Sequence, residues 1–151
     1  MIIESDQQLY ENGRYYWTPQ RAVAAWSRCF QQLKSALASG KYRLLMLLIG
    51  IPASGKSTYA GTHDRPDVII FDGTFVDATR RSRVTAAARA AGVPVIAVWL
   101  DTNFQKCLER NQQRPADRQV PEDSMNVMLH RLNSTPPQLA EGFSQIYRIS
   151  A

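Results

Sequence analysis

Leu44-Leu45-Met46-Leu47-Leu48-Ile49-Gly50-Ile51-Pro52-Ala53-Ser54-Gly55-Lys56-Ser57 decides the reading of this chain. Six consecutive apolar residues, too few to span a bilayer, suit a strand buried on both faces of a parallel sheet. The eight residues after them satisfy G-x-x-x-x-G-K-[ST] in full, between a strand and a helix, which is the context that gives this pattern meaning. Gly50 and Gly55 let the backbone bend around Pro52 so that successive amides of Ala53, Ser54 and their neighbours face inward as a nest for an anion. The helix that follows adds its positive N-terminal end at Lys56, Ser57 and Thr58. Lys56 is placed to reach terminal phosphates and the Ser57 hydroxyl to ligand Mg²⁺. The stretch predicts a site for a nucleoside triphosphate, ATP with Mg²⁺.

Working outward, Val68-Ile69-Ile70-Phe71-Asp72 and Val93 to Asp101 repeat the pattern of an apolar run closed by an acid, and Ile146–Ile149 is a weaker fourth strand. Helical stretches fall between them at about 56–61, 79–91, 103–113 and 121–132. Thr18-Pro19 opens a further helix over 19–39, with an apolar stripe at Ala22, Trp26, Phe30, Leu33 and Leu37 and Gly40 beyond its end. Alternating strands and helices predict an α/β fold with a small, mostly parallel sheet of about four strands. Length sets the expectation of one domain, residues 1–151: an N-terminal helical extension over 1–42 and a nucleotide-binding core over 43–151.

Asp72 ends its strand where ligands sit in open parallel sheets. It is a candidate metal ligand, or a base for an incoming hydroxyl. Arg110, Arg114 and Arg118 recur every four residues, but Pro115 should end the helix near Arg114. Residues 110–120 then read as a mobile, arginine-bearing connection of the kind a closing lid needs. Arg80, Arg81 and Arg83 are either a grip for an anionic substrate or a solvated basic face.

Net charge is +5, the pI is near 9.5, and fourteen of the eighteen basic residues are Arg, which favours anionic partners. Apolar residues at 44% and charged residues at 21% are ordinary for a globular chain and exclude wholesale disorder. Cys29 and Cys107 lack metal-site or disulfide spacing and read as buried small hydrophobes. No secretory segment is visible, so a cytoplasmic location is expected, with no membrane and no obligate protein partner. Tyr15, Tyr16 and Trp17 beside Arg14 offer a stacking platform for nucleobases, but packing of the N-terminal segment is the favoured reading.

These motifs together resemble the polynucleotide 5′-hydroxyl kinase branch of the P-loop kinases, an AAA-type ATP-binding kinase. The likeness is carried by Gly50–Thr58, Phe71-Asp72-Gly73-Thr74 with Arg80-Arg81, Arg110-Asn111-x-x-Arg114-Pro115, Val120-Pro121-Glu122 and Glu141-Gly142-Phe143, and runs over roughly residues 43–149. The resemblance implies a P-loop NTPase fold and transfer of the γ-phosphate of ATP to a hydroxyl, commonly a nucleic-acid 5′-OH. It implies phosphate and Mg²⁺ binding by Lys56 and Ser57, Asp72 beside the reacting centre, and Arg110 or Arg114 as the lid arginine. A small-metabolite kinase and an ATP-binding or ATP-hydrolysing module share the same motifs. Family members usually carry another strand after the loop helix, with an Asp and an Arg for the acceptor. Here ten residues, 58–67, separate Ser57 from the next strand. His63-Asp64-Arg65 is a remnant of that element or a plain turn, and the helix over 19–39 is expected to cover the sheet where the missing strand would lie.

Overall fold

The computed structural model describes residues 1–150. Its centre is a five-stranded sheet in the order β1-β5-β4-β6-β7, in which every neighbouring pair is parallel. The strands are β1 (Ile2–Glu4), β4 (Leu44–Ile49), β5 (Val68–Asp72), β6 (Val95–Asp101) and β7 (Gln145–Ser150). Two short strands, β2 (Tyr10–Glu11) and β3 (Arg14–Tyr15), form a separate antiparallel hairpin. The helices are α1 (Pro19–Ala38), α2 (Lys56–His63), α3 (Ala78–Ala90), α4 (Phe104–Gln112) and α5 (Glu122–Ser134).

The pleat sorts the central strands between two cores. Leu45, Leu47 and Ile49 of β4, with Ile69 and Phe71 of β5, point to the face covered by α1 and α3, where they meet Leu33, Phe30 and Val84. Met46 and Leu48, with Ile70 and Val98, point to the other face, where Ala60 of α2 packs. Thr18 caps α1 by accepting a hydrogen bond from the Arg21 amide at 3.0 Å. Its buried stripe runs through Ala25, Cys29, Phe30, Leu33 and Leu37, one position across from Ala22 and Trp26, which stay partly open.

The sheet has five strands where four were expected. The addition is β1, at the extreme N-terminus, which pairs with β5 in the register Ile2↔Ile70, Ile3↔Phe71 and Glu4↔Asp72. It takes the sheet edge that the short 58–67 connection leaves free. Helix α1 lies over one face of the sheet and does not substitute for the missing strand. His63 ends α2, and Asp64 and Arg65 lie in the turn before β5, so the plain-turn reading of that segment holds.

Arg81 has no exposed surface. Its guanidinium donates to Glu141 Oε1 at 2.8 Å, to the Phe75 carbonyl at 2.9 Å and to the Thr135 carbonyl at 2.6 Å. Glu141 also accepts from the Gln138 amide at 2.7 Å. The Arg81 and Glu141 motifs therefore join α3 to the turn before β7 and do not touch a substrate. Arg80 stacks on Trp26 at 4.8 Å and Arg83 on Phe30 at 4.3 Å, so both cover the apolar seam between α1 and α3.

Candidate functional site

The glycine loop closes between β4 and α2 at the C-terminal end of the sheet. Ala53 has φ 64° and Gly55 φ 102°, so the chain turns inward over two residues in left-handed conformation. Gly50 has no room for a side chain: a Cβ there would lie 2.5 Å from Ser54 Oγ and 3.0 Å from the Leu100 carbonyl oxygen. The loop is tied to its neighbours by Thr102 Oγ1, which donates to the Ser54 carbonyl at 2.7 Å, and by the Gly50 amide, which donates to the Thr74 carbonyl at 3.2 Å.

Lys56 is buried, and its ammonium donates to the Ile51 carbonyl at 3.0 Å. It forms no ion pair among the described residues. Burial lowers its pKa, and the charge of Asp72 opposes that shift. A buried cation held without a counter-ion in a cleft is incomplete until an anion arrives. Ser57 Oγ donates to Asp72 Oδ2 at 2.8 Å. Burial pushes the Asp72 carboxyl above the usual range, against the Lys56 charge and the Ser57 hydrogen bond, which pull it down. A hydroxyl and a carboxylate side by side are the hard oxygen donors that suit Mg²⁺, which takes few protein ligands and completes its shell with phosphate and water. Ser54 Oγ is buried with no hydrogen-bond partner, a further orphaned group in the same loop.

These residues form the floor of one cavity of about 1130 Å³. Single-ligand clefts usually measure roughly 300–1,000 Å³, so this one lies just above the usual range. Over the floor runs the segment between α4 and α5. Arg110, at the end of α4, and Arg114 and Arg118, in the segment after it, all line the cavity. Arg110 reaches the Ala53 carbonyl at 3.4 Å. Asn111 clasps the segment's far end, donating to the Val120 carbonyl at 2.7 Å and accepting from the Val120 amide at 3.0 Å. Arg118 is held away from the loop: it pairs with Asp6 at 3.2 Å and lies over the rings of Tyr10 and Tyr15.

The third wall comes from the N-terminal segment. Glu4 and Asp6 line it, with Leu9, Tyr15, Trp17 and Trp26. The Glu4 carboxyl is pushed up by burial and then by the charges of Asp72 and Asp6, against the pull of Arg118 and a hydrogen bond from Gln7. Packing was the favoured reading for Tyr15, Tyr16 and Trp17, yet Tyr16 and Trp17 are exposed, Trp17 at 59%. Trp26 is shared, touching Phe30, Phe71 and Phe75 of the core while opening on the cavity. Glu4 and Asp6 were missed. Their signal was Ile2-Ile3-Glu4, a short copy of the apolar-run-then-acid pattern at Asp72. Cys29 and Cys107 are buried as expected.

Residues 62–135 match the AAA domain family. The matched stretch is just under half of the chain, from the last turn of α2 to the residue after α5, and includes Asp72 and the arginine segment but not the glycine loop. With the parallel sheet and the loop, it defines a nucleotide-binding domain of P-loop NTPase fold, kinase-like in type. No described helix is long and apolar enough to cross a membrane.

Proposed function

We propose that this protein is an ATP-dependent phosphotransferase that moves the γ-phosphate to a hydroxyl. The observation that carries the reading is the buried, unpaired Lys56 ammonium beside the Ser57–Asp72 pair, under a segment bearing three arginines. The loop amides of Ala53, Gly55, Lys56, Ser57 and Thr58 and the Lys56 ammonium hold the triphosphate. Ser57 and Asp72 are the residues that would hold Mg²⁺, which when bound would supply charge neutralisation on the triphosphate.

Asp72 orients the acceptor hydroxyl and takes its proton. The acceptor oxygen forms a new bond to the γ-phosphorus. The bond from that phosphorus to the bridging oxygen breaks, and its electron pair leaves with ADP. Arg110 and Arg114 neutralise charge on the transferring group, and Arg118 joins them when its pairing with Asp6 opens. The resemblance of the lid and tail motifs favours a nucleic-acid 5′-OH as acceptor. A small-molecule acceptor is favoured by a different observation: the charged side chains that residues 4–26 add to the cavity are carboxylates, Glu4 and Asp6, and the lid's Arg118 is engaged by Asp6.

The test is transfer of labelled γ-phosphate from ATP to 5′-OH RNA, 5′-OH DNA and small alcohols. Phosphorylation of any of them supports phosphotransfer. ATP turnover that releases inorganic phosphate alone, whatever alcohol is added, overturns it in favour of a hydrolytic module.

A further inference from the structure

The cavity is divided by charge. Its cations, Lys56, Arg110, Arg114 and Arg118, come from the glycine loop and the lid. The wall contributed by residues 4–26 has no cation, and its only charged groups are the carboxylates of Glu4 and Asp6. The same wall carries three aromatic rings: Tyr15, Trp17 and Trp26. Trp17 is 59% exposed at the cavity, in a chain whose other tryptophans are largely covered. Large exposed aromatic surface beside a cleft marks a contact for a flat ligand. Glu4 stands in register with Asp72 across β1 and β5, so the carboxylates meet the phosphate half where an acceptor hydroxyl would attack the γ-phosphorus.

We propose that residues 4–26 build the phosphoacceptor subsite, and that it takes a compact, neutral or cationic alcohol carrying a flat ring, not a polynucleotide strand. This rests on the phosphotransferase reading of the same cavity. Each phosphodiester of a strand would bring a negative charge toward Glu4, which has no ion pair among the described residues, beside Asp6, whose one cation, Arg118, is already engaged. A ring seated against the exposed Trp17 gains stacking whatever its substituents. A hydroxyl on that ring system, or a protonated amine, finds acceptors in Glu4 and Asp6. The subsite is made by the part of the chain outside the AAA domain match, so the acceptor class is set by residues that the family match does not include.

The test is calorimetric titration of the protein carrying a non-hydrolysable ATP analogue and Mg²⁺, with Trp17→Ala and Glu4→Gln measured alongside. The probes are adenosine, 2-amino-1-phenylethanol, inositol and a 5′-OH decanucleotide. The two ring-bearing alcohols are expected to bind. Trp17→Ala should weaken both by about 10-fold or more. Glu4→Gln should weaken the cationic probe more than adenosine. Inositol is expected to bind more weakly than either ring compound and to ignore Trp17. The inference is overturned if the decanucleotide binds more tightly than adenosine with a steep salt dependence, if inositol matches the ring compounds, or if neither ring compound binds at millimolar concentration. Binding of the ATP analogue, measured first, separates these outcomes from failure of the phosphotransferase reading: without it the nucleotide half is wrong, with it only the acceptor half is in question.

Discussion

Lys56→Met should make the ligand-free protein more stable while disabling it. The lysine stem lies in a buried site and its ammonium has one carbonyl acceptor and no ion pair. Burial lowers its pKa, so the fold holds this proton less tightly than the unfolded chain does. The sign follows directly: for this group, stability is lost as the pH falls below the unfolded lysine value and regained as it rises toward that value, near 10.4. Neutral methionine fills a similar volume and removes the penalty. Desolvating an ammonium costs several kcal/mol, offset in part by Asp72 and by a hydrogen bond of about 1 kcal/mol to Ile51. The net gain expected for Lys56→Met is about 1–2 kcal/mol. In a chain of this size that raises Tm by about 2–8 °C. With Mg·ATP present the order should reverse. At a ligand concentration near 100 times Kd the wild type gains about 2.7 kcal/mol from binding, and the variant gains nothing. Two melting curves for each protein, with and without nucleotide, check the crossing. A variant that melts lower than wild type without ligand, or is stabilised equally by nucleotide, would refute the claim that this cation waits for an anion.

Other perturbations probe the remaining walls. Asp72→Asn should weaken Mg²⁺-dependent nucleotide binding by about 10–100-fold, read by titrating Mg²⁺ against a fluorescent ATP analogue, because the Ser57 hydroxyl loses the carboxylate that orients it. Burial raises the Asp72 pKa, so the ligand-free fold gains stability from this group as the pH falls through its folded value. Wild type should therefore gain on Asp72→Asn as the pH falls toward the ordinary carboxylate range in urea unfolding, and a constant difference would contradict it. Arg81→Ala should cost about 3–5 kcal/mol and lower Tm without changing the nucleotide Kd of the folded fraction, because Glu141 and two carbonyls lose their donor.

The central strands and the glycine loop were legible because each is a local pattern: an apolar run, a glycine pair, an acid at the strand end. Element ends shifted by a residue or two, as with α2, which runs on to His63, where Tyr59 stacks on the His63 ring at 3.8 Å. What was not legible depends on partners far away in the chain. Ile2–Glu4 is three residues long, too short to show a period, and becomes a strand only because β5 offers an unpaired edge. Arg81 gave the same letters as a substrate-gripping arginine. Its role was decided by Glu141, sixty residues on. Tyr16 and Trp17 read as packing because aromatic residues usually pack, and only the placement of the cavity left Trp17 in the open.

The pairing of β1 with β5 also bears on the order in which the molecule assembles. Residues 2–4 have no sheet partner until residues 70–72 are in place, and a parallel contact across that separation closes slowly. Three residues give the edge little grip, so it belongs among the elements that open most often and exchange their amides first. The glycine loop, between central strands, and the N-terminal wall of the cavity, hung on this edge, thus differ in how firmly the sheet holds them. On the proposed reading of that wall, exchanging the first two dozen residues for another sequence that ends a short strand with an acid is the way to re-aim this scaffold toward a new alcohol.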